Sequence, residues 1–414
     1  MLKNRSENAT TGIQKTAYLY TAILINTALG FVATKLNTHY LNVDDFGRLN
    51  FFIITLTFSH HFFSFGIYES ASRRIAVEKA RQKISELSGV VLLFSLVSGL
   101  LYCLFVFIWS YFSDRFFEVA IGNLLSTYAP LAFTMIWQTM LLILLRGKGD
   151  ISGLSFYTFL PRLFYVLGLS LLALTLSYTL ESSILLFLVS IGFVSFYFIL
   201  RLRPVFKHIK ENLAVLREET RSFGRHLYVA NLISTIIMHA DKLFLAYFLD
   251  ARQLAYYTLS FTLSVPLLHF ATAVSRSHYH SFANSPHIGS TILKTNLFFQ
   301  IAGVSALMVL GKPIIIYVFS ADYLPGIEAL YILAIAFGLS GLAMPFTSFL
   351  KAQGKGREIR NITFQVQAVL ILLSLIFIPQ WGINGAAAAV LAANGYDLAA
   401  YFILYKKVIK HKTI

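Results

Sequence analysis

Eleven stretches of this chain run for 15 to 36 residues without Asp, Glu, Lys or Arg. They are 16–34, 49–68, 87–113, 119–145, 163–180, 182–200, 226–240, 253–275, 295–311, 329–350 and 361–396. About 20 mostly apolar residues cross a bilayer as an α-helix. In lipid each backbone N–H and C=O must be satisfied internally, which favours a helical bundle. Only 13% of the residues are charged, against roughly 25% in soluble domains. The chain reads as an all-α polytopic membrane protein. The last run is too long for one span, and PQWGING at 379–385 divides it, since Pro and Gly mark a turn. Twelve spans are expected. The seventh run is short because Asp241 and Lys242 interrupt it, and its helix is expected to continue to about residue 249.

The net charge of +15 suggests nucleic acid in a soluble protein. Here loop anchoring explains it, because cytoplasmic loops collect Lys and Arg. With the N-terminus inside, 27 basic residues fall on inside segments and 3 on outside loops (Arg48, Arg115, Arg252). Both termini are expected in the cytoplasm. The inside set includes Lys3, Arg5, Lys15, Arg276 and Lys412. All outside loops are short. Cys103 is the single cysteine, so neither a disulfide framework nor a thiolate metal cluster is available. The polar N-terminal tail has no small-residue cleavage site, and the first span is read as retained.

The chain carries a weak internal repeat. ATKLNTHYL (33–41) matches ADKLFLAYFL (240–249), so that Lys35 and Lys242 correspond at an offset of 207. FGRLNFF (46–52) parallels LAYYTLS (254–260), and LLRGKGD (144–150) parallels FLKAQGKG (349–356). Two six-helix lobes follow, 1–202 and 223–414, joined by a basic linker at 203–222. Parallel repeats of this kind are a transporter architecture with the substrate site near the membrane midplane.

A Lys at the bilayer centre costs about 2.5–3.5 kcal/mol. Two at matched depths point to a water-filled, cationic cavity. His39 is one turn from Lys35, and Asn231, Thr235 and His239 fall on the Lys242 stripe. Arg162, in FLPRLFY, is a third cation at membrane depth. Such a cavity suits a phosphate or pyrophosphate. The bland alternatives are a Lys35 that snorkels to the interface and a Lys242 that braces an acid. Adjacent helical residues point about 100° apart, so Asp241 and Lys242 are expected not to pair with each other. Asp241 is read as a structural ion-pair partner or a proton-coupling group. Asp397 is the other acid that could titrate, set against a hydrogen-bonded brace. His60 and His61 are expected to point apart, His278 and His280 read as interfacial, and Glu69 with Arg73 reads as an i,i+4 pair. No P-loop, GxSxG, HExxH or CxxC motif occurs, and no cofactor is expected.

FGRLNFF (46–52), GIYESASRRIA (66–76), ADKLFLAYFLDARQLAYY (240–257), FLKAQGK (349–355) and IPQWGINGAAAAVLAANGY (378–396) together resemble the polysaccharide-transport branch of the MOP exporter superfamily. More narrowly, the chain is similar to Wzx-type flippases for undecaprenyl-pyrophosphate-linked O-antigen units. The resemblance implies a MATE-like V-shaped fold and alternating access. It also implies export of a lipid-linked oligosaccharide across the bacterial inner membrane, driven by a proton gradient, with the O-antigen polymerase machinery as a partner. Family cavities are cationic, in agreement with Lys35, Lys242 and Arg162. The second lobe departs from the pattern, with LAYY where the first has FG, and no motif assigns the coupling acid. A MATE-type multidrug exporter would want acids in the first span or its mate, and the first span carries Lys35 and no acid. A membrane polymerase or ligase would need a sizeable outside loop.

Overall fold

The computed structural model describes residues 2–410, and within them the side chains of 18, 19, 21–236, 239–275, 277–279, 281–283 and 285–410. The side chains of Lys3, Arg5, Lys15, Arg276, His280 and Lys412, named above, lie outside that set. Among the described residues every regular element is helical. Eight helices are long and apolar enough to cross a membrane, and ten crossings result if each of two bent pairs counts as one. The protein is a multi-pass membrane protein of helical architecture.

Packing divides the chain into two units, described separately. The first comprises residues 1–42, 51–116 and 120–239. It holds α1 (Leu2–Tyr40), most of α2 (Val43–Ser59), α3 (Ile67–Val77), α4 (Arg81–Phe116), α5 (Gly122–Gly147), α6 (Ile151–Leu174), α7 (Leu180–Leu202), α8 (Ile209–Glu219) and the start of α9 (Arg225–Phe248). The basic linker is thus largely helical rather than a loop. α4 packs on α5, α1 on α6, and α7 on both α5 and α6. Lipid gives helices no hydrophobic reason to associate, so close approach and interhelical hydrogen bonds do that work. Buried serines serve both purposes. Tyr68 meets Ser98 at 2.9 Å, Tyr102 meets Ser59 at 2.9 Å, and Tyr157 meets Ser195 at 2.6 Å. Helix starts are capped by side chains. Asp150 accepts from the Gly153 N–H at 2.8 Å, and Asp114 accepts from the N–H groups of Ile121 and Gly122 at 2.9 and 2.8 Å.

The second run of the sequence is bent rather than straight. Val43–Phe63 and Ile67–Val77 meet at 65°. Gly66 makes the joint in a left-handed conformation, φ 74°, and a Cβ there would collide with the Gly224 carbonyl. Gly149 has a similar φ of 66° with open space around it. Left-handed backbone costs a non-glycine residue about 1–2 kcal/mol. Gly66→Ala is therefore expected to lower the melting temperature of the detergent-solubilised protein clearly more than Gly149→Ala. Equal shifts would show that the Gly66–Gly224 approach carries no packing cost.

The second unit comprises residues 43–50, 117–119 and 240–414. α10 (Ala251–Ser264), α11 (Pro266–Ser277), α12 (Tyr279–Asn284) and α13 (Ser290–Ile314) surround α14 (Ile327–Ala352), which packs most extensively on α15 (Gly356–Lys410). Phe282, Phe346, Phe349 and Tyr405 fill one end of this core. A straight 55-residue helix would be about 82 Å long at 1.5 Å per residue, far more than a bilayer core. α15 breaks at Gly382 (φ 56°, ψ −133°), inside the expected PQWGING turn. The start of α2 docks here. Gly47 lies on the Ala251 backbone, Arg252 Nε reaches Asp44 Oδ2 at 2.8 Å, and the Glu118 N–H donates to the Ala246 carbonyl at 3.0 Å.

Candidate functional site

In the first unit, α1, α5, α6 and α7 enclose a cavity of about 250 Å³. Its polar lining comes from Asn26, Gln138, Tyr157, Thr158, Arg162 and Tyr165. Pro161 and Arg162 place it on α6, whose interior Pro removes a backbone donor. The Arg162 guanidinium lies against α1 at Gly30, where a Cβ would stand 2.5 Å from Nη1. A larger residue at position 30 would displace the end of the arginine side chain from this seat. Among the described residues no carboxylate pairs with Arg162, and no hydrogen bond to another side chain holds it. One wall is fixed by a satisfied network. Tyr178 donates to Asn37 Oδ1 at 2.9 Å, and Asn37 Nδ2 donates to Tyr165 at 3.2 Å. Ala33, Tyr165, Val166 and Leu169 pack behind it. The site offers a planar cation with free donors, neutral hydrogen-bonding groups and aromatic rings. That combination suits a phosphate carrying a polar, hydroxylated group.

The structure does not gather every expected site residue at this cavity. Lys35 lies about 140° around α1 from Gly30, and His39 about 180°, taking 100° per residue. Both side chains are exposed, and no acid pairs with Lys35 among the described residues. His39 makes an edge contact with Tyr40 at 5.0 Å. Asn231 donates to Glu69 Oε1 at 2.9 Å, and His239 sets its ring edge-on to Phe58 at 6.4 Å. Asp397 is half-buried on α15, one turn before Tyr401.

In the second unit, Asp241 and Lys242 do pair, at 3.8 Å, contrary to the expectation from helix geometry. The lysine's four-carbon stem reaches sideways across the 100° gap. Tyr257 donates to the same Asp241 oxygen at 2.9 Å, and Lys242 Nζ sits 3.8 Å over the Phe261 ring. The acid and base of this greasy helix are thus each other's partners, aided by two aromatic rings.

Two further expectations are corrected. Glu69 and Arg73 do not pair, because each finds a better-placed partner on a distant segment. Arg73 bonds Glu219 at 3.0 Å, and Glu69 takes Asn231. His60 and His61 bring their rings to 4.0 Å, tilted 37° to each other, instead of pointing apart, where α2 gives way to a 3-10 turn. No group of three metal-ligating side chains forms among the described residues.

Glu69 is more than the i,i+4 partner read from the sequence. It is buried, and its Oε2 has no hydrogen-bond partner among the described residues. Stripping a buried acceptor of its donor costs about 1–3 kcal/mol. Asn231→Leu is expected to destabilise the protein by that amount in thermal denaturation. Adding Glu69→Gln should recover most of the loss, because it removes the buried charge. No recovery would mean that Asn231 acts through something other than Glu69.

Residues 13–283 match the model of a family described as "Polysaccharide biosynthesis protein". No curated protein matches the chain in sequence. Solved structures of similar fold include lipid II flippase MurJ in an inward closed conformation, at 17% identity and TM-score 0.71, over 94% of this chain and 87% of that one. An inward-facing multidrug resistance MATE family transporter of the MOP superfamily matches at 17% identity and TM-score 0.70, over 94% and 95% of the two chains. A MOP superfamily transporter from Pyrococcus furiosus, described as having a binding pocket of reverse polarity, matches at 16% identity and TM-score 0.58, over 94% and 95%. These likenesses establish a MOP-type fold.

Proposed function

The chain belongs to the polysaccharide biosynthesis protein family, and from that premise we propose that it is a flippase for polyprenyl-pyrophosphate-linked oligosaccharides. The Arg162 cavity carries the proposal. It presents hydroxyls, amides and a guanidinium without an acid partner among the described residues, groups that suit a sugar–phosphate head. Lys35 is a second proposed phosphate contact, since it is exposed and without an acid partner among the described residues. His39, Asn231, His239 and Lys242 complete the proposed head-group contacts, with Asp241 and Asp397 as the coupling acids. Lys242 and Asp241 are engaged with each other, so their roles require that pair to open.

The finer architecture belongs to the same proposal. α1 and both arms of α15, taken with the ten candidate crossings, support twelve spans. The lobes are 1–202 and 223–414 with a linker at 203–222, and both termini lie in the cytoplasm of a bacterial inner membrane. The substrate is an O-antigen-type repeat unit moved by alternating access, and the polymerase machinery receives it. No covalent chemistry is required.

The test is surface O-antigen in a strain lacking its flippase, complemented with wild-type, Arg162→Ala, Arg162→Lys or Lys35→Ala protein at equal membrane levels. Loss with Arg162→Ala and partial retention with Arg162→Lys is the expected result. Full surface antigen with Arg162→Ala would remove the cavity from the transport path.

A further inference from the structure

A second concavity lies on another face of the α6–α7 pair. It is a trough of about 400 Å³ walled by Phe156, Leu160 and Phe164 of α6 and by Phe193, Tyr197 and Arg201 of α7. Each wall repeats every fourth residue, which aligns its side chains along one helix face. The walls span eight residues, or about 12 Å at 1.5 Å per residue. That approaches half of a hydrocarbon core about 30 Å thick. Phe156, Phe193 and Tyr197 are each at least half exposed, with nothing among the described residues covering them.

One end of the trough is polar. Arg201 donates from a single Nη to Asp150 at 3.1 Å and lies over Phe198 at 5.6 Å, and its other N–H groups meet no acceptor side chain among the described residues. Arg203 follows Arg201 at the end of α7, and Arg146 and Lys148 precede its partner Asp150 at the turn from α5 to α6. Burial draws the Lys148 ammonium below its usual range, and Asp150 offsets part of that shift.

We propose that this trough is a binding site for one anionic phospholipid, with an acyl chain between α6 and α7 and the phosphate on Arg201. The charge at one end and the one-leaflet length both fit that occupant. A polyprenyl chain is much longer than the trough. The sugar–phosphate site proposed at Arg162 opens on a different face of the same helices, so the two sites are distinct.

The test uses the full chain in nanodiscs containing phosphatidylglycerol with a photoreactive acyl chain, followed by peptide mapping. Label should concentrate on 156–164 and 193–201. Arg201→Gln should reduce that label about fivefold, the effect of roughly one basic contact with an anionic headgroup, while label elsewhere stays constant. Leu160→Trp, which fills the trough and leaves Arg201 in place, should also remove it. Replacing the probe with photoreactive phosphatidylcholine should give weak labelling at the trough. Even labelling of all lipid-facing helices, equal labelling by the two lipids, or label unchanged in both variants would overturn the site and leave ordinary annular lipid.

Discussion

Asp241→Asn is expected to be the most destabilising single substitution at membrane depth. Asp241 and Lys242 are almost enclosed, with side chains 7% and 12% exposed. Removing one partner of a buried pair leaves the other charge uncompensated, at about 3–5 kcal/mol. The Phe261 ring softens the loss but supplies no counter-charge. Tyr257 would keep an acceptor in the asparagine carbonyl, so the hydrogen bond at 2.9 Å survives and the effect isolates charge. The double variant Asp241→Asn with Lys242→Met removes both charges and should recover most of the stability. Thermal denaturation of the three proteins in detergent checks this. A single Asp241→Asn variant as stable as wild type would show that water, not the carboxylate, balances Lys242.

Arg162→Ala should have the largest effect on ligand binding, with little effect on folding. The guanidinium has no acid to abandon among the described residues, so its removal leaves no buried counter-charge. A hydrogen bond to a charged group contributes about 1.5–3 kcal/mol, which is about 10- to 100-fold in Kd. Binding of a polyprenyl pyrophosphate to detergent-solubilised protein should weaken by that factor. Arg162→Lys should fall between, since lysine keeps the charge and loses the planar fork. Gly30→Val supplies an independent arm. A side chain there would push the guanidinium from its seat, so affinity should drop although Arg162 is intact. Unchanged affinity in Arg162→Ala and Gly30→Val together would place the phosphate elsewhere.

Much of the helical plan was legible because charge-free runs and Pro–Gly breaks act locally. The break at Gly382 fell inside PQWGING, and Arg162 stood out as a charge inside an apolar helix. Partner choice was not legible. Helical spacing offered Arg73 to Glu69, yet the folded chain gives Arg73 to Glu219 and Asn231 to Glu69. Those pairings depend on where α8 and α9 lie against α3, which no local pattern states. The same limit hid Asn26, Gln138 and Thr158, since single neutral polar residues in apolar helices carry no distinguishing signal until packing turns them toward one cavity. Lys35 shows the converse. Its charge was obvious, but its angle on α1 relative to Gly30 puts it on a different face from Arg162.

The most direct measurement is flipping in vesicles reconstituted with purified protein. A fluorescent polyprenyl-pyrophosphate oligosaccharide is placed in both leaflets, and the fraction reached by an external quencher is followed over time. Exchange is expected with wild-type protein, loss of exchange with Arg162→Ala, and no uptake of a cationic dye in parallel vesicles. Wild-type exchange rates in Arg162→Ala, or dye transport without lipid exchange, would contradict flipping through the Arg162 cavity.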